Sequence, residues 1–341
     1  MIAAAFLVLA SGRSCLAATN EAPGFKEVYE LIQAHLKGVS AADLNRAAVQ
    51  GLLKALGPKV ALVTNASPGG ASAVAATVSK ATLFDGKIAY IRVAAVGPKL
   101  PAEVEVACRN LGATNTLEGV VLDLRYADGS DYAAAIATAG LFAGRSVSRL
   151  DWGAGMVSAT VHSNSIRVPV AVLVNHETAQ AAEALAALLR ESGAGLILGS
   201  GTAGCAMIME NFPLAEGGLL RIAAAPVRLG DGTALDSAGI QPDIPVTVGP
   251  EAEGAYFADP FLASRSGAPG SAGVTNAAAS RGHLNEAELV REHREGTDQN
   301  DDGEALPARP AEAPKPVVTD PVLARALDLL KGLAVVREGR S

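Results

Sequence analysis

Val168-Pro169-Val170-Ala171-Val172-Leu173-Val174 is an apolar run with no polar alternation, and a strand written this way is buried on both faces. Ala179 to Ser192 follows with apolar residues at helical spacing, and then Gly195-Leu196-Ile197-Leu198 forms a second short buried strand. Strand, helix and strand within about thirty residues predict an α/β protein. The same alternation extends backwards. Gly119-Val120-Val121-Leu122-Asp123-Leu124-Arg125 reads as another buried strand, followed by a helix over Ala133 to Phe142. Before it, Lys87-Ile88-Ala89-Tyr90-Ile91-Arg92-Val93 reads as a strand introduced by the Asp85-Gly86 turn, and Ala102 to Leu111 as a helix. Forwards, Leu219 to Val227 and Ile240 to Val248 read as strands on either side of the Gly230-Asp231-Gly232 turn.

The flanks differ in character. From Phe25 to Leu56 the apolar residues Val28, Leu31, Ile32, Leu36, then Leu44 and Leu52, recur at helical spacing. They predict two helices, the second N-capped by Ser40 with Asp43 three residues on and ended by Gly57-Pro58. Val60-Ala61-Leu62-Val63 is a possible short strand, and Asn65 to Ser72 has the chemistry of a loop. Between about Pro260 and Val317, Gly, Ser, Pro and charge predominate, as in a disordered linker. A last amphipathic helix, Asp320 to Val335, begins at Thr319-Asp320-Pro321 and is expected to dock on the domain or on a partner. At the other end, Met1 to Ala10 is apolar and leads to Cys15-Leu16-Ala17-Ala18, which reads as a secretory signal peptide and implies a secreted or periplasmic protein. Its basic n-region is missing, and a mis-set start or a frayed apolar tail is the alternative. The run is too short to span a bilayer.

With 49% apolar residues among 341, the chain can build a substantial core; 36 glycines and only 4% aromatics suit close helix-to-sheet packing. A net charge of −7 without a basic run argues against nucleic acid and against a polybasic membrane contact. Besides Cys15, Cys108 and Cys205 can form one disulfide or none. The sequence contains no CxxC or Cys/His pattern, so neither metal nor cofactor is expected.

Three stretches resemble the carboxyl-terminal processing (tail-specific) serine protease family. Leu122-Asp123-Leu124-Arg125-Tyr126-Ala127-Asp128-Gly129-Ser130 is similar to the family's Leu-Asp-Leu-Arg-Asn-Asn-Pro-Gly-Gly. Val172-Leu173-Val174-Asn175-His176-Glu177-Thr178-Ala179-Gln180-Ala181-Ala182-Glu183 follows its Val-Leu-Val-Asn-x-Gly-Ser-Ala-Ser-Ala-Ser-Glu, and Gly239-Ile240-Gln241-Pro242-Asp243 its Gly-Ile-x-Pro-Asp. The resemblance covers roughly Phe25 to Val248 and implies a ClpP/crotonase-like α/β core with an N-terminal helical leader and a C-terminal helix. The expected organisation is a signal peptide at 1–18, a helical segment at 19–58, a connector at 59–86, the core at 87–260, the linker at 261–318 and the final helix at 319–341. The family's PDZ domain usually occupies the connector's place, but between 25 and 30 residues there fall short of the ~50 of an ordinary domain.

Residue by residue, the resemblance puts Gln180 at the nucleophile position, Cys205 at the lysine position and Met209 at the glutamine that supports the lysine. Gln180 and Cys205 are 25 residues apart, the family's own spacing. An amide has no hydroxyl for a base to activate, so the inherited route of hydrolysis should be absent. Gly129 and Ser130 fall where the family's oxyanion donors lie, and Thr178, Ala179 and Gln180 would border a peptide groove. Asp123 and Arg125 read as an internal charge pair, Glu183 as a carboxylate at a helix N-terminus, and Trp152 as nonspecific. The resulting expectation is a pseudoprotease that binds a peptide, an unfolded protein segment or an active relative. The alternatives are an active serine-type peptidase, a relocated His176/Cys205 endopeptidase, and a structural or interaction protein.

Overall fold

The structure, a computed structural model, describes residues 23–57, 59–63, 76–114, 116–143, 148–160, 165–215, 217–235, 237–262 and 317–338. The expected signal peptide, the Asn65 to Ser72 loop and most of the expected linker (263–316) lie outside the described residues. Helices α1 (Phe25–His35) and α2 (Ala41–Leu56) and strand β1 (Val60–Val63) come first. Next are β2 (Val78–Phe84), β3 (Ile88–Val93), α3 (Leu100–Leu111), β4 (Gly119–Asp123) and α4 (Tyr132–Gly140). The pair β5 (Arg149–Asp151) and β6 (Met156–Ser158) precedes β7 (Val170–Val174), α5 (Ala181–Glu191) and β8 (Gly195–Gly199). Then come β9 (Met207–Pro213), β10 (Leu219–Pro226), β11 (Arg228–Leu229), β12 (Ile244–Pro245), α6 (Pro250–Ala258) and α7 (Pro321–Glu338).

The central sheet has the order β12-β8-β7-β4-β3-β2, parallel throughout except for β2, which runs antiparallel to β3. Its strands lack polar alternation because both faces are covered. Ala89, Ile91, Val120, Leu122 and Val172 pack beneath α3, α4 and α5. On the opposite face, Ile88, Tyr90, Val121, Ala171, Leu173 and Leu198 meet Val322, Leu323, Ala326, Leu327 and Leu330 of α7. The last helix therefore docks back on the domain and seals one side of the sheet.

That docking is also electrostatic. Arg125 Nε and Nη2 donate to the two carboxylate oxygens of Asp123 at 3.0 and 2.7 Å, and Nη2 also donates to Asp320 Oδ2 at 2.8 Å. Asp320 Oδ1 meanwhile accepts from the backbone N–H groups of Val322 and Leu323, so one carboxylate caps α7 and joins a buried ion triad.

Local chemistry explains most boundaries. Ser40 caps α2 by accepting from the N–H of Asp43 at 3.1 Å, and Asp131 caps α4 by accepting from that of Ala134 at 2.9 Å. The strand expected over Ile240 to Val248 contracts to Ile244–Pro245: Pro242 and Pro245 have no N–H to extend a ladder. Asp243 instead accepts from the N–H of Ile197 at 2.8 Å and returns its own N–H to the Ile197 carbonyl at 2.9 Å. Of the two smaller sheets, β1-β10-β9 was expected only in β1 and β10, and β11-β5-β6 in none of its strands; β2 and α6 also carried no expectation. The carboxyl ends of β4, β7 and β8 open into residues 124–131, 175–180 and 200–206, the sheet end where ligands of open α/β folds collect.

Candidate functional site

Asn175, immediately after β7, is buried, and its Oδ1 accepts from the N–H groups of Tyr126 at 3.1 Å and Glu177 at 3.2 Å. This ties the end of β4 to the end of β7. Thr178 is wholly buried as well; its hydroxyl donates to the Leu124 carbonyl at 2.9 Å and accepts from the N–H of Asn175 at 3.0 Å. It belongs to the floor of the site and, contrary to expectation, does not border a groove. Ala179 is half-buried, with its N–H on the Ala127 carbonyl at 3.0 Å.

Gln180 then turns the chain into α5 with φ 54° and ψ −119°, a conformation that an L side chain enters only under strain. Glu183, one turn into the helix, holds this elbow. Its carboxylate accepts from the N–H of Gln180 at 3.0 Å and, on the facing turn, from Thr202 Oγ1 at 2.5 Å and the N–H groups of Gly204 and Cys205 at 2.7 Å each. One buried carboxylate thus fixes the backbone at both Gln180 and Cys205. The expectation of a helix N-terminal carboxylate is correct but incomplete, because the facing turn takes three of its four donors.

Three backbone donors around the elbow are engaged. The N–H of Ala181 points to the Gly129 carbonyl at 2.9 Å, that of Ala182 to Ala179 at 3.1 Å, and that of Ala184 to Gln180 at 3.2 Å. Gly129 therefore presents a carbonyl to the start of α5. Its φ of 121° and its proximity to Val96, whose carbonyl oxygen would lie 2.3 Å from an added Cβ, restrict the position to glycine.

Cys205 is half-buried, and its Sγ donates to the Ala203 carbonyl at 3.5 Å. Burial raises its pKa, the Glu183 carboxylate adds to the effect, and Lys59 opposes it. His176 is exposed and pairs with Glu177 at 3.4 Å; among the described residues no hydrogen bond joins it to Cys205. Cys108 lies in the core with its thiol pushed up to about 12 by burial, and both cysteines are free. No three His, Cys, Asp or Glu side chains among the described residues are grouped as metal ligands.

In front of Gln180 lies a cavity of about 440 Å³. Ser130, Gln180 and Met209 line it, so three positions singled out in the sequence do converge, while Cys205 stands outside the lining. Tyr132, Trp152, Met207 and Ile208 form an apolar wall, and Asn211 and Arg221 a polar one. The Tyr132 hydroxyl donates to the Met207 carbonyl at 3.1 Å, and burial raises its pKa. Trp152, nonspecific in the sequence, is a wall residue, and an isolated tryptophan carries no spacing signal that could have said so. The cavity offers apolar contact and hydrogen-bond partners for a side chain, but no hydroxyl paired with an amine.

Comparison with known proteins gives a consistent result. A model described as peptidase family S41 matches residues 87–246. The carboxy-terminal-processing protease of Bartonella bacilliformis is 30% identical over 170 residues, 48% of this chain and 39% of that protein. The chloroplastic carboxyl-terminal-processing peptidase 2 of Arabidopsis thaliana is 32% identical over 168 residues, 47% of this chain and 32% of its own. The chain thus spans well under half the length of the curated relatives it matches. Among solved structures, the photosystem II D1 C-terminal processing protease is 26% identical with a TM-score of 0.41, covering 55% of this chain and 47% of that one.

Proposed function

Residues 87–246 belong to peptidase family S41, and from that premise we propose that the chain is a non-cleaving member that holds a peptide or unfolded protein segment in the cavity beside Gln180. The observation that carries the reading is the elbow itself. Gln180 occupies the strained helix entry where a nucleophile would stand, and its amide offers no oxygen that a base could turn into an alkoxide. Two further facts support it. Cys205 brings a thiol with a raised pKa in place of a free amine, and the N–H of Ala181 is spent on the Gly129 carbonyl instead of facing a developing oxyanion.

The cavity supports binding: Tyr132, Trp152 and Met207 can take an apolar side chain while Asn211 and Arg221 hydrogen-bond an extended backbone. No helix among the described residues is long and apolar enough to cross a membrane. Residues Met1 to Ala18 are read as an export signal, which places the protein in the periplasm or outside the cell.

Incubation with unfolded casein and a fluorophosphonate label tests the inert half of the reading. Expected are intact casein and no labelled residue; cleavage that disappears when a labelled residue is mutated sinks it. Fluorescence anisotropy with labelled casein fragments tests the binding half. Saturable binding that Met209→Arg abolishes is expected, and equal binding by the variant removes the cavity from the proposal. Sequencing the N-terminus of the protein from fractionated cells tests export.

A further inference from the structure

One wall of the cavity beside Gln180 is set by the register of the β1-β10-β9 sheet. Ala61 of β1, Arg221 of β10 and Asn211 of β9 lie directly opposite one another, so their side chains share a face, and all three line the cavity. Two residues along, Met209 pairs with Ala223 on the same face, and Met209 lines the cavity as well. A polar row and an apolar row thus stand one strand repeat apart, ~6.8 Å at ~3.4 Å per residue.

Among the described residues that line the cavity, Arg221 alone is charged, although acidic residues outnumber basic ones by 35 to 28 in the whole chain. Its Nε donates to Asn211 Oδ1 at 3.3 Å, which orients the guanidinium, while Nη1 and Nη2 have no hydrogen bond or ion pair among the described residues. Glu183, the carboxylate of the site, is already occupied by its four donors from Gln180, Thr202, Gly204 and Cys205. Lys59, whose carbonyl accepts from the N–H of Ala223 at 2.8 Å, adds a second cation beside the apolar row. Hydrogen bonds to a peptide backbone would occupy Arg221 without neutralising it. A planar cation with both terminal nitrogens open matches the two oxygens of a carboxylate.

We propose that Arg221 makes the cavity selective for a peptide segment carrying an Asp or Glu side chain, with an apolar residue two positions away seated on Met209. The spacing follows from the two rows, because residues i and i+2 of an extended peptide point the same way and stand the same ~6.8 Å apart. Arg221 lies inside β10 and Asn211 inside β9, so a chain can run past them in both directions and no chain end is required. The inference rests on the reading of the cavity as a peptide site, and the experiment separates the two. Fluorescence anisotropy would use rhodamine-labelled, amidated Gly/Ser peptides containing Glu-Ser-Leu, Leu-Ser-Glu, their Gln counterparts, or Glu-Leu-Ser, together with a Gln peptide ending in a free carboxylate. One of the two orders with the acid and the leucine two apart should bind about fivefold tighter than its Gln counterpart. It should also bind tighter than Glu-Leu-Ser, and ~0.5 M NaCl should remove most of the advantage over Gln. Arg221→Gln should bind the Glu and Gln peptides equally, and Arg221→Lys should keep part of the preference; Arg221 is exposed, so both variants should melt as the parent does. Equal binding of the Glu and Gln peptides by the parent, or a preference that survives in Arg221→Gln, overturns the inference and leaves the peptide site standing. A preference shown only by the free-carboxylate peptide overturns the assignment to a side chain. Failure of every peptide to bind removes both readings.

Discussion

Glu183→Gln should loosen the site more than any other single-atom change in it. The carboxylate accepts four hydrogen bonds, two per oxygen, from Gln180, Thr202, Gly204 and Cys205. An amide of the same shape keeps one accepting oxygen and turns an NH₂ group toward two donors, so two bonds to a charged acceptor are lost in a buried place. At about 1.5–3 kcal/mol for each such bond, the variant should be destabilised by about 3–6 kcal/mol. Urea denaturation reads this as a fall of the midpoint by roughly 1–3 M at a slope of ~2–3 kcal/mol per molar. The loss should also be local, and native-state hydrogen exchange should show the amides of Gly204 and Cys205 losing protection before the rest of the core. A destabilisation below about 1 kcal/mol, with those two amides still protected, would mean that the carboxylate is not what joins the two turns.

Other consequences are as direct. Gln180→Gly should raise stability by about 1 kcal/mol in the same assay, because glycine accepts φ 54° without strain; a loss of stability would show that the amide side chain contributes more than the strain costs. With its pKa raised by burial and by Glu183, Cys205 should react with iodoacetamide at pH 8 more slowly than in the unfolded chain, the gap closing as pH rises and thiolate forms; equal rates by peptide mass mapping contradict this. Replacing residues 263–316 with a short Gly-Ser bridge should leave the melt unchanged or stabilise the chain by up to about 2 kcal/mol, since the N–H of Thr319 already lies 2.7 Å from the Pro260 carbonyl and a shorter loop costs less entropy to close. A melt lowered by that deletion would show that the segment contributes contacts of its own.

The parts of the fold legible in the sequence are those dictated by continuous local pattern. Unbroken apolar runs reveal β4 and β7 because each is buried on two sides, and the helical spacing of Ala179 to Ser192 marks α5 to within two residues. Strand β9 escaped because Met207–Pro213 is half to fully exposed, and no alternation marks a face that is not buried. The strand expected at Ile240 to Val248 had enough apolar residues, but two prolines outrank composition once ladder hydrogen bonds are counted. In the site, the identity of Gln180 was legible but the arrangement around it was not. Glu183 takes its partners from 19 to 22 residues away, Arg125 meets Asp320 across 195, and the N–H of Ala181 depends on which way a glycine peptide points. Contacts of that range are set by the folded topology, which no window along the chain encloses.

The place of α7 in the order of synthesis has a consequence of its own. The sheet face made by Ile88, Tyr90, Val121 and Leu173 is complete in the nascent chain once β8 has emerged, but its cover begins only at Val322, some 120 residues later. At ~5–20 residues per second a ribosome needs on the order of 10 s to deliver that cover. During that interval a greasy plane the width of four strands lies uncovered, with Arg125 holding one of its two acidic partners. A holding chaperone that recognises bare sheet has its natural opportunity then, and a ribosome stalled between Gly199 and Asp320 would present the most aggregation-prone form of this chain.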